Sequence, residues 1–376
     1  MHPGEDAGMR GEAERQRTML SVVSAEHRIP ADHPLRRIKA MADAELARLS
    51  PVFDRMYAER GRPSVPPERL LKACLLIALY SVRSERQLCE QLQYNLLFQW
   101  FLDLDLHTAP FDASTFAKNK ERWLRADVAR RFFEGVVHQA KAARLLSAEH
   151  FTVDGTLIEA WASLKSFRPK GERPENRPPP DDPGNPTVNF HGERRSNATH
   201  ASITDSDALL ARKGNGKEAT LALAGHVLME NRHGLCVDIL VTRATGTAER
   251  EAALTMVRRQ RRNGIRPRTL GADKAYDAAD FVADLRAEGI TPHVAPNITT
   301  RRDSNLDWRT LRQTGYQLSQ RCRKKVEEIF GWGKTIGGLR KTRYRGVQRT
   351  GFWTYLVGAA YDLLRMARLM PGCAAA

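Results

Sequence analysis

Apolar residues recur at helical spacing through residues 31–146 of the chain. The clearest repeat follows a pair of prolines suited to a first helical turn and places Leu70, Cys74 and Ile77 on one face. Ser84, followed three residues later by Gln87, forms a capping box that begins a second helix, whose inward face is predicted to carry Leu88, Leu92, Leu96 and Trp100. Further helices are predicted over residues 40–47, 52–58, from about 112 or 114 to 124, and over 130–146.

The pattern changes after residue 147 to short apolar runs typical of strands. Such runs occupy residues 151–154, 221–229, 235–241, 269–273 and 290–295, and the glycine at Gly234 predicts a hairpin between the second and third. Helical stretches over 248–262 and 278–288 separate the later runs. The sequence therefore predicts an α/β fold, a mixed sheet with flanking helices preceded by an all-helical N-terminal domain.

Composition divides the chain further. Residues 1–30 are polar and aperiodic, which predicts a flexible N-terminus. The helical pattern then defines a domain over residues 31–146, and the α/β pattern defines a second over 147–370. Within the second, seven prolines lie between about 166 and 197. Because prolines exclude a regular helix, we expect a loop or partly disordered insertion there.

The charge of the chain favours a polyanionic partner. The net charge is +16, and ten Lys and Arg residues against two acids lie between residues 321 and 349. Such a concentration indicates a nucleic-acid surface, although a solvated basic helix is the plainer alternative. The candidate DNA-binding residues are Arg323, Lys324, Lys325, Lys334, Arg340, Lys341, Arg343 and Arg345.

Cysteine spacing and hydropathy bear on the compartment. The five cysteines form no CxxC pair, so neither a zinc ribbon nor a disulfide framework is indicated. The most apolar run, residues 73–82, is too short to cross a bilayer, and the N-terminus lacks an apolar leader. We therefore expect a soluble, cytoplasmic protein with no membrane partner.

Two groups of polar residues have both a functional and a plainer interpretation. Lys118, Lys120 and Arg122 would face DNA if their helix belonged to a helix-turn-helix-like unit, but a plain helical bundle fits equally well. Asp205 and Asp207 are possible metal ligands, although their neighbours fit a turn or a helix cap better.

Three acidic residues are the candidates for catalysis. Asp154 and Asp273 each stand at the C-terminal end of a predicted strand, the sheet edge where sites gather, although Asp-Gly at 154 is also an ordinary turn signal. A third acid lies in the basic helix, where Glu327 borders the apolar face and Glu328 points away from it. Three carboxylates brought together in a basic protein predict a divalent-metal site acting on phosphodiesters, with two Mg²⁺ ions and Mn²⁺ as a substitute.

The stretch from Arg323 to Lys334 resembles the Tyr/Arg/Glu/Lys signature around the last acid of bacterial insertion-sequence DDE transposases, specifically the insertion sequence "five" family. The spacing of Arg323, Glu327 and Lys334 matches, whereas Gln320 stands where the pattern has tyrosine. The Asp154-Gly-Thr and Ala272-Asp273-Lys-Ala-Tyr stretches are similar to its first and second acidic blocks. The family pattern has a further block between these two acidic blocks. Residues 204–207 of this chain, together with Arg212-Lys213-Gly214, resemble it.

The resemblance implies an RNase H-like catalytic domain with Asp154, Asp273 and Glu327 as catalytic metal ligands. Arg323 and Lys334 would hold phosphates near the cut. The implied reaction is strand cleavage at the terminal inverted repeats of an element, followed by strand transfer into target DNA. The implied partners are double-stranded DNA and a second copy of the chain, in a homodimer or higher oligomer, which would associate with the nucleoid.

Two other functions remain open at this stage. An RNase H-like nuclease would use the same acids but only hydrolyse DNA, without strand transfer. A catalytically inactive DNA-binding relic of an element would keep the basic surface without needing the acids.

Overall fold

The structure is a computed structural model that describes residues 24–57, 64–105, 110–170, 195–214, 217–298 and 303–370. Its N-terminal half is helical, as the apolar periodicity predicts. The helices are α1 (Ala25–Arg28), α2 (Pro34–Asp54), α3 (Pro67–Leu79), α4 (Glu85–Gln91), α5 (Leu96–Phe101), α6 (Ser114–Arg125) and α7 (Val128–Ala142).

Helix α2 corrects the prediction of two short helices over 40–47 and 52–58. It runs unbroken for 21 residues, with Pro34 in its first turn and Pro51 inside its last. Its buried residues, among them Leu35, Ile38 and Leu49, continue one apolar face along the whole length. Packing of this long face against the core compensates for the hydrogen bond that Pro51 cannot donate.

Helices α4 and α5 divide a stretch that the apolar pattern had joined from Ser84 to Trp100. Ser84 caps α4 as predicted, accepting a hydrogen bond from the backbone N–H of Gln87 at 3.1 Å. The chain then turns, and Asn95 caps α5 by accepting from the N–H of Phe98 at 3.1 Å. The side chain of Asn95 thus starts a new helix where periodicity alone indicated continuation.

A mixed sheet forms the second half of the molecule. Strand β1 (His150–Glu159) lies at its centre, antiparallel to β5 (Thr220–Glu230) and parallel to β7 (Thr269–Ala272). Strand β6 (Leu235–Arg243) forms the predicted hairpin with β5, and β8 (Thr291–Val294) lies parallel to β7. The order β6-β5-β1-β7-β8, antiparallel on one side of β1 and parallel on the other, is an RNase H-like arrangement.

Three short strands accompany the main sheet. Strand β4 (Leu209–Ala211) pairs with the start of β5, and β2 (Phe167–Pro169) pairs with β3 (His200–Ser202). At the start of the predicted loop or partly disordered insertion, Phe167 is buried in the three-residue strand β2. Residues 171–194 of that predicted insertion lie outside the described residues.

Helices cover the sheet and complete the chain. Helix α8 (Ala248–Arg262) connects β6 to β7, and α9 (Ala279–Ala287) connects β7 to β8, as predicted. The C-terminal helices are α10 (Trp308–Leu311), α11 (Thr314–Cys322), α12 (Val326–Thr335) and α13 (Val347–Leu369). Within the described ranges, no helix has the length and apolar character needed to cross a bilayer.

Helix α13 joins the two halves of the molecule. It packs against α2, α3 and α7 on one side and against β6 on the other, so a single hydrophobic core spans both halves. Gly358 allows this close approach, because a Cβ there would lie 2.2 Å from Cδ1 of Ile239. The structure does not otherwise test the predicted domain boundaries near residues 30 and 147.

Two polar groups of uncertain role have structural functions here. The Oδ2 atoms of Asp205 and Asp207 accept hydrogen bonds from the backbone N–H groups of Gly346 and Val347, at 3.0 and 2.9 Å. They therefore cap α13, which confirms the helix-cap interpretation. Lys120 is paired with Glu85 and donates to the Tyr344 hydroxyl, so this lysine does not face DNA as the helix-turn-helix alternative required.

Candidate active site

Asp154 lies inside a strand rather than at its end, which corrects the prediction. Strand β1 continues to Glu159 because its second half remains paired with β5. Its parallel pairing with β7, however, ends at Thr152, opposite Gly271. Continuing that register by two residues places Asp154 opposite Asp273, at the point where the two parallel strands part.

Asp273 follows the last residue of β7, as predicted. Its Oδ1 atom accepts a hydrogen bond from the N–H of Ala275 at 2.8 Å and so begins a 3₁₀ turn, Lys274–Tyr276. The Oδ1 atom of Asp154 accepts from the N–H of Gly155, also at 2.8 Å. One oxygen of each carboxylate is therefore held by the backbone.

Helix α12 brings the third acid. Val326 and Ile329 are buried, which turns Glu327 toward a cavity of about 900 Å³ that Asp154 and Asp273 also line. Glu328 points elsewhere and pairs with Arg365 at 2.8 Å. The structure thus places Glu327, and not Glu328, beside the other two acids, as the helical-wheel argument predicts.

The acids influence one another electrostatically. Burial raises the pKa of Asp154 to about 6, and the negative charges of Asp273 and Glu327 act in the same direction. The Gly155 N–H and the Arg323 guanidinium oppose this rise in pKa. Because the repulsion is between oxygen ligands, a hard divalent cation between them would relieve it.

The carboxylates do not form a closed ligand set. Among the residues that the structure describes, no three His, Cys, Asp or Glu side chains are close enough together to hold a metal ion as they stand. The Glu327 side chain is exposed, while Asp154 is partly buried. The donor chemistry fits Mg²⁺, which needs only one or two carboxylates and completes its shell with water and phosphate oxygens.

Cations line the opposite part of the cavity. We call Arg212, Lys213, Lys334 and Arg340 the basic rim, since all four line the cavity wall. Lys334 donates to the Thr156 hydroxyl at 2.5 Å, and its pKa is lowered by burial and then by Lys213 and Arg340. Helix α12 persists to Thr335 despite its two interior glycines, which is what brings Lys334 to the rim.

Arg323 acts on Asp154 electrostatically although it does not line the cavity wall. Its positive charge lowers the pKa of Asp154, so the guanidinium is near that carboxylate. Its Nε is buried and has no hydrogen-bond partner among the described residues. A buried, unpaired guanidinium donor beside a cavity is suited to a phosphate oxygen.

The other predicted DNA-binding residues lie away from the cavity wall. Lys325 donates to the carbonyls of Asn231 and Arg232 at 2.8 and 3.0 Å, which gives it a structural contact. Lys341 pairs with Glu159 at 2.7 Å, and Arg343 donates to the Val82 carbonyl at 3.3 Å. Lys324 and Arg345 are exposed.

Sequence reasoning missed Glu249 as a site residue. In the sequence, Glu249 is an acid in the first turn of α8, where a negative charge stabilises the N-terminus of a helix that has no side-chain cap. That structural role is sufficient to account for an acid at this position. The structure places Glu249 on the cavity wall with the three predicted acids. Burial raises its pKa, and Asp273 and then Asp154 contribute to the rise. The one sequence signal that bears on Glu249 is Gly155, because a glycine inside a strand often marks a place where another group approaches the backbone closely.

Two protein families match separate parts of the chain. Residues 23–122 match the family "Transposase domain (DUF772)", and residues 196–363 match the family "Transposase DDE domain". Asp273 and Glu327 lie inside the second range, and Asp154 lies between the two. No curated protein matches the chain significantly.

Solved structures provide weaker similarities. A piggyBac transposase synaptic complex with hairpin DNA is 9% identical, with a TM-score of 0.37, over 90% of this chain and 73% of that one. A Mos1 transposase paired-end complex with a left transposon end is 12% identical, with a TM-score of 0.20, over 74% of this chain and 84% of that one. Such low scores carry no argument about this chain. The two family matches, on an RNase H-like sheet with acids at its parallel edge, show that the chain belongs to the insertion-sequence DDE transposases.

Proposed function

We propose that this DNA transposase uses Asp154, Asp273 and Glu327 to cleave strands at the terminal inverted repeats of its element and to join them to target DNA. The supporting observation is that β1, the end of β7 and α12 deliver these three acids to one cavity wall. The cavity also carries the basic rim, so phosphates and carboxylates would meet there. An insertion sequence of the "five" family is the proposed element.

The three carboxylates would hold divalent cations, two Mg²⁺ ions with Mn²⁺ as a substitute. Bound there, such ions supply an activated nucleophilic oxygen and stabilise the leaving oxygen of a phosphodiester. The protein contributes the positions of the ligands. Backbone N–H groups hold one oxygen each of Asp154 and Asp273, which leaves their other oxygens available.

The cations of the site would bind the DNA backbone. Lys334 and Arg340 reach the cavity wall, and the buried Nε of Arg323, whose charge acts on Asp154, has no partner among the residues that the structure describes. These positions suit the phosphates on either side of a cut strand. Lys324, Arg345 and the other basic residues of the segment would extend the contact along double-stranded DNA.

The protein would act as a homodimer or higher oligomer, because two element ends must be processed together. This assembly would work in the cytoplasm, on the DNA of the nucleoid. The net charge of +16 supports a standing association with DNA rather than with a membrane.

The experiment compares charge-neutral variants on terminal-repeat DNA with Mg²⁺. We expect Asp154→Asn, Asp273→Asn and Glu327→Gln each to lower the rate of strand cleavage more than about 100-fold. Losing a residue that only supports a metal ligand lowers activity by up to about 100-fold, so a larger loss indicates a direct metal ligand. DNA binding should persist, because the cationic residues are untouched. Glu328→Gln is the matched control, since its carboxylate pairs with Arg365 outside the cavity.

The products decide the reaction class. Joined donor and target strands are expected from wild type, whereas hydrolysed ends alone would indicate a nuclease. Cleavage by Glu327→Gln at the rate of Glu328→Gln would remove Glu327 from the proposed catalytic set.

A further inference from the structure

Glu249 lies directly over the strand that carries Asp154. Helix α8 begins at Ala248 and crosses the sheet above β1 and β5, so its first turn comes down beside the cavity. A Cβ added to Gly155 would lie 2.8 Å from Oε1 of Glu249. A side chain at position 155 would make the Glu249 carboxylate move, and Gly155 is the immediate neighbour of Asp154.

The Glu249 carboxylate has no countercharge at bonding distance. Among the described residues, none forms a hydrogen bond or ion pair with it, although it is partly buried. The negative charges of Asp273 and Asp154 act on it, and Arg250 opposes them only in part, because the pKa of Glu249 is still raised. Holding a third unpaired carboxylate there is unfavourable unless something positive enters between them.

Tyr276 provides a second, independent observation. Its side chain is 0% exposed, and its hydroxyl has no hydrogen-bond partner among the described residues. The charges that act on this hydroxyl are those of Glu249 first, then Asp154 and Asp273. A fully buried hydroxyl without a partner among the described residues therefore lies within electrostatic reach of the same carboxylates.

We propose that Glu249 is a fourth carboxylate of the active site, which faces the same divalent cation as Asp154 and Asp273. This inference deepens the proposed function and depends on it. Glu249 belongs to α8, which follows the β6 strand, whereas Glu327 belongs to α12. The cation would thus be approached by acids from two different helices, and Gly155 leaves room for Glu249 beside Asp154.

The test measures cation binding by the full-length protein, independently of catalysis. Titration calorimetry with Mn²⁺ and with Mg²⁺ would compare wild type, Glu249→Gln and Glu251→Gln. Glu251 is the matched control, because it lies in the same first turn but is exposed and does not line the cavity. We expect the affinity of Glu249→Gln to fall by about tenfold or more and that of Glu251→Gln to be unchanged.

A second readout uses the metal-free protein. Removing one of several mutually repelling carboxylates should raise the melting temperature of metal-free Glu249→Gln above wild type, while added Mn²⁺ should stabilise the variant less. Glu249→Asp keeps the charge but shortens the side chain, so its metal affinity should lie between those of Glu249→Gln and wild type. Equal metal affinities for Glu249→Gln and Glu251→Gln would overturn the inference.

Asp273→Asn separates this inference from the proposed function. If Asp273→Asn loses metal binding while Glu249→Gln keeps it, the active site stands and Glu249 does not belong to it. If neither variant changes metal binding, the proposed function itself fails.

Discussion

The cap of α13 by two acids from distant sequence yields a prediction whose size can be worked from the contacts. Helix α13 begins at Val347, and the residue at its N-cap, Gly346, has no side chain to cap the helix. Asp205 and Asp207 replace that missing cap, 141 and 140 residues earlier in the chain. The two carboxylates also place negative charge at the positive end of a 23-residue helix that packs on both halves of the molecule.

The two aspartates should differ in their effect on the free energy of unfolding. Asp207→Ala removes one N–H contact and a favourable charge, a loss of about 1–2 kcal/mol. Asp205 is 3% exposed and accepts from the N–H groups of both Gly346 and Asp207. Asp205→Ala leaves both donors without that acceptor, so we expect a loss of about 2–4 kcal/mol. The double variant should lose less than the sum, because the two residues share one helix end.

Urea denaturation followed by circular dichroism measures these losses as shifts of the midpoint at constant slope. Asp207→Asn keeps an acceptor oxygen and should lose less than Asp207→Ala. Asp280→Ala is the control, since Asp280 is an exposed acid in the first turn of α9 and makes no hydrogen bond among the described residues. If Asp205→Ala were no less stable than Asp280→Ala, the capping interpretation would be refuted.

Two further predictions concern DNA binding and pH. Lys334→Ala should remove one phosphate contact with double-stranded DNA. The slope of log K, the logarithm of the DNA association constant, against log salt concentration should then become less steep by about 1. Fluorescence anisotropy measures this slope, and an unchanged slope would contradict the contact. For Asp277, burial raises the pKa, but hydrogen bonds from Asn297 and Asn305 prevail and lower it. The stability that Asp277 contributes should therefore be complete above about pH 4, the ordinary value for aspartate, and be lost as pH falls through its lower folded pKa. The difference in urea midpoint between wild type and Asp277→Asn should shrink between pH 5 and pH 3, and a constant difference would exclude this linkage.

Local patterns determined several elements correctly. Helix α8 occupies the residues predicted for it, because its acidic first turn, basic last turn and Asn263-Gly264 end are all encoded in one continuous segment. The β5–β6 hairpin follows from Gly234, whose φ of +66° suits a residue without a side chain. The choice of Glu327 over Glu328 needed only the angle between residues on a helix and the neighbouring apolar positions.

Errors arose where a distant partner overrides the local pattern. Asp154 is followed by glycine and looks like a strand end, but pairing with β5 carries β1 onward to Glu159. Lys120 looks like a DNA contact on an amphipathic helix, but Glu85 and Tyr344, 35 and 224 residues away, surround its ammonium group.

The sequence by itself predicted the three candidate acids, the order of the strands and helices, and the family resemblance, because each depends on residues close together in the chain. The tertiary structure decided which carboxylates share a cavity and which charges are already paired. It placed Glu249 on the cavity wall with the three candidate acids and assigned Asp205 and Asp207 to the end of α13. Those outcomes depend on the register between β1 and β7 and on the packing of helices over the sheet. Both are set by contacts between residues more than 100 positions apart, which no local periodicity encodes.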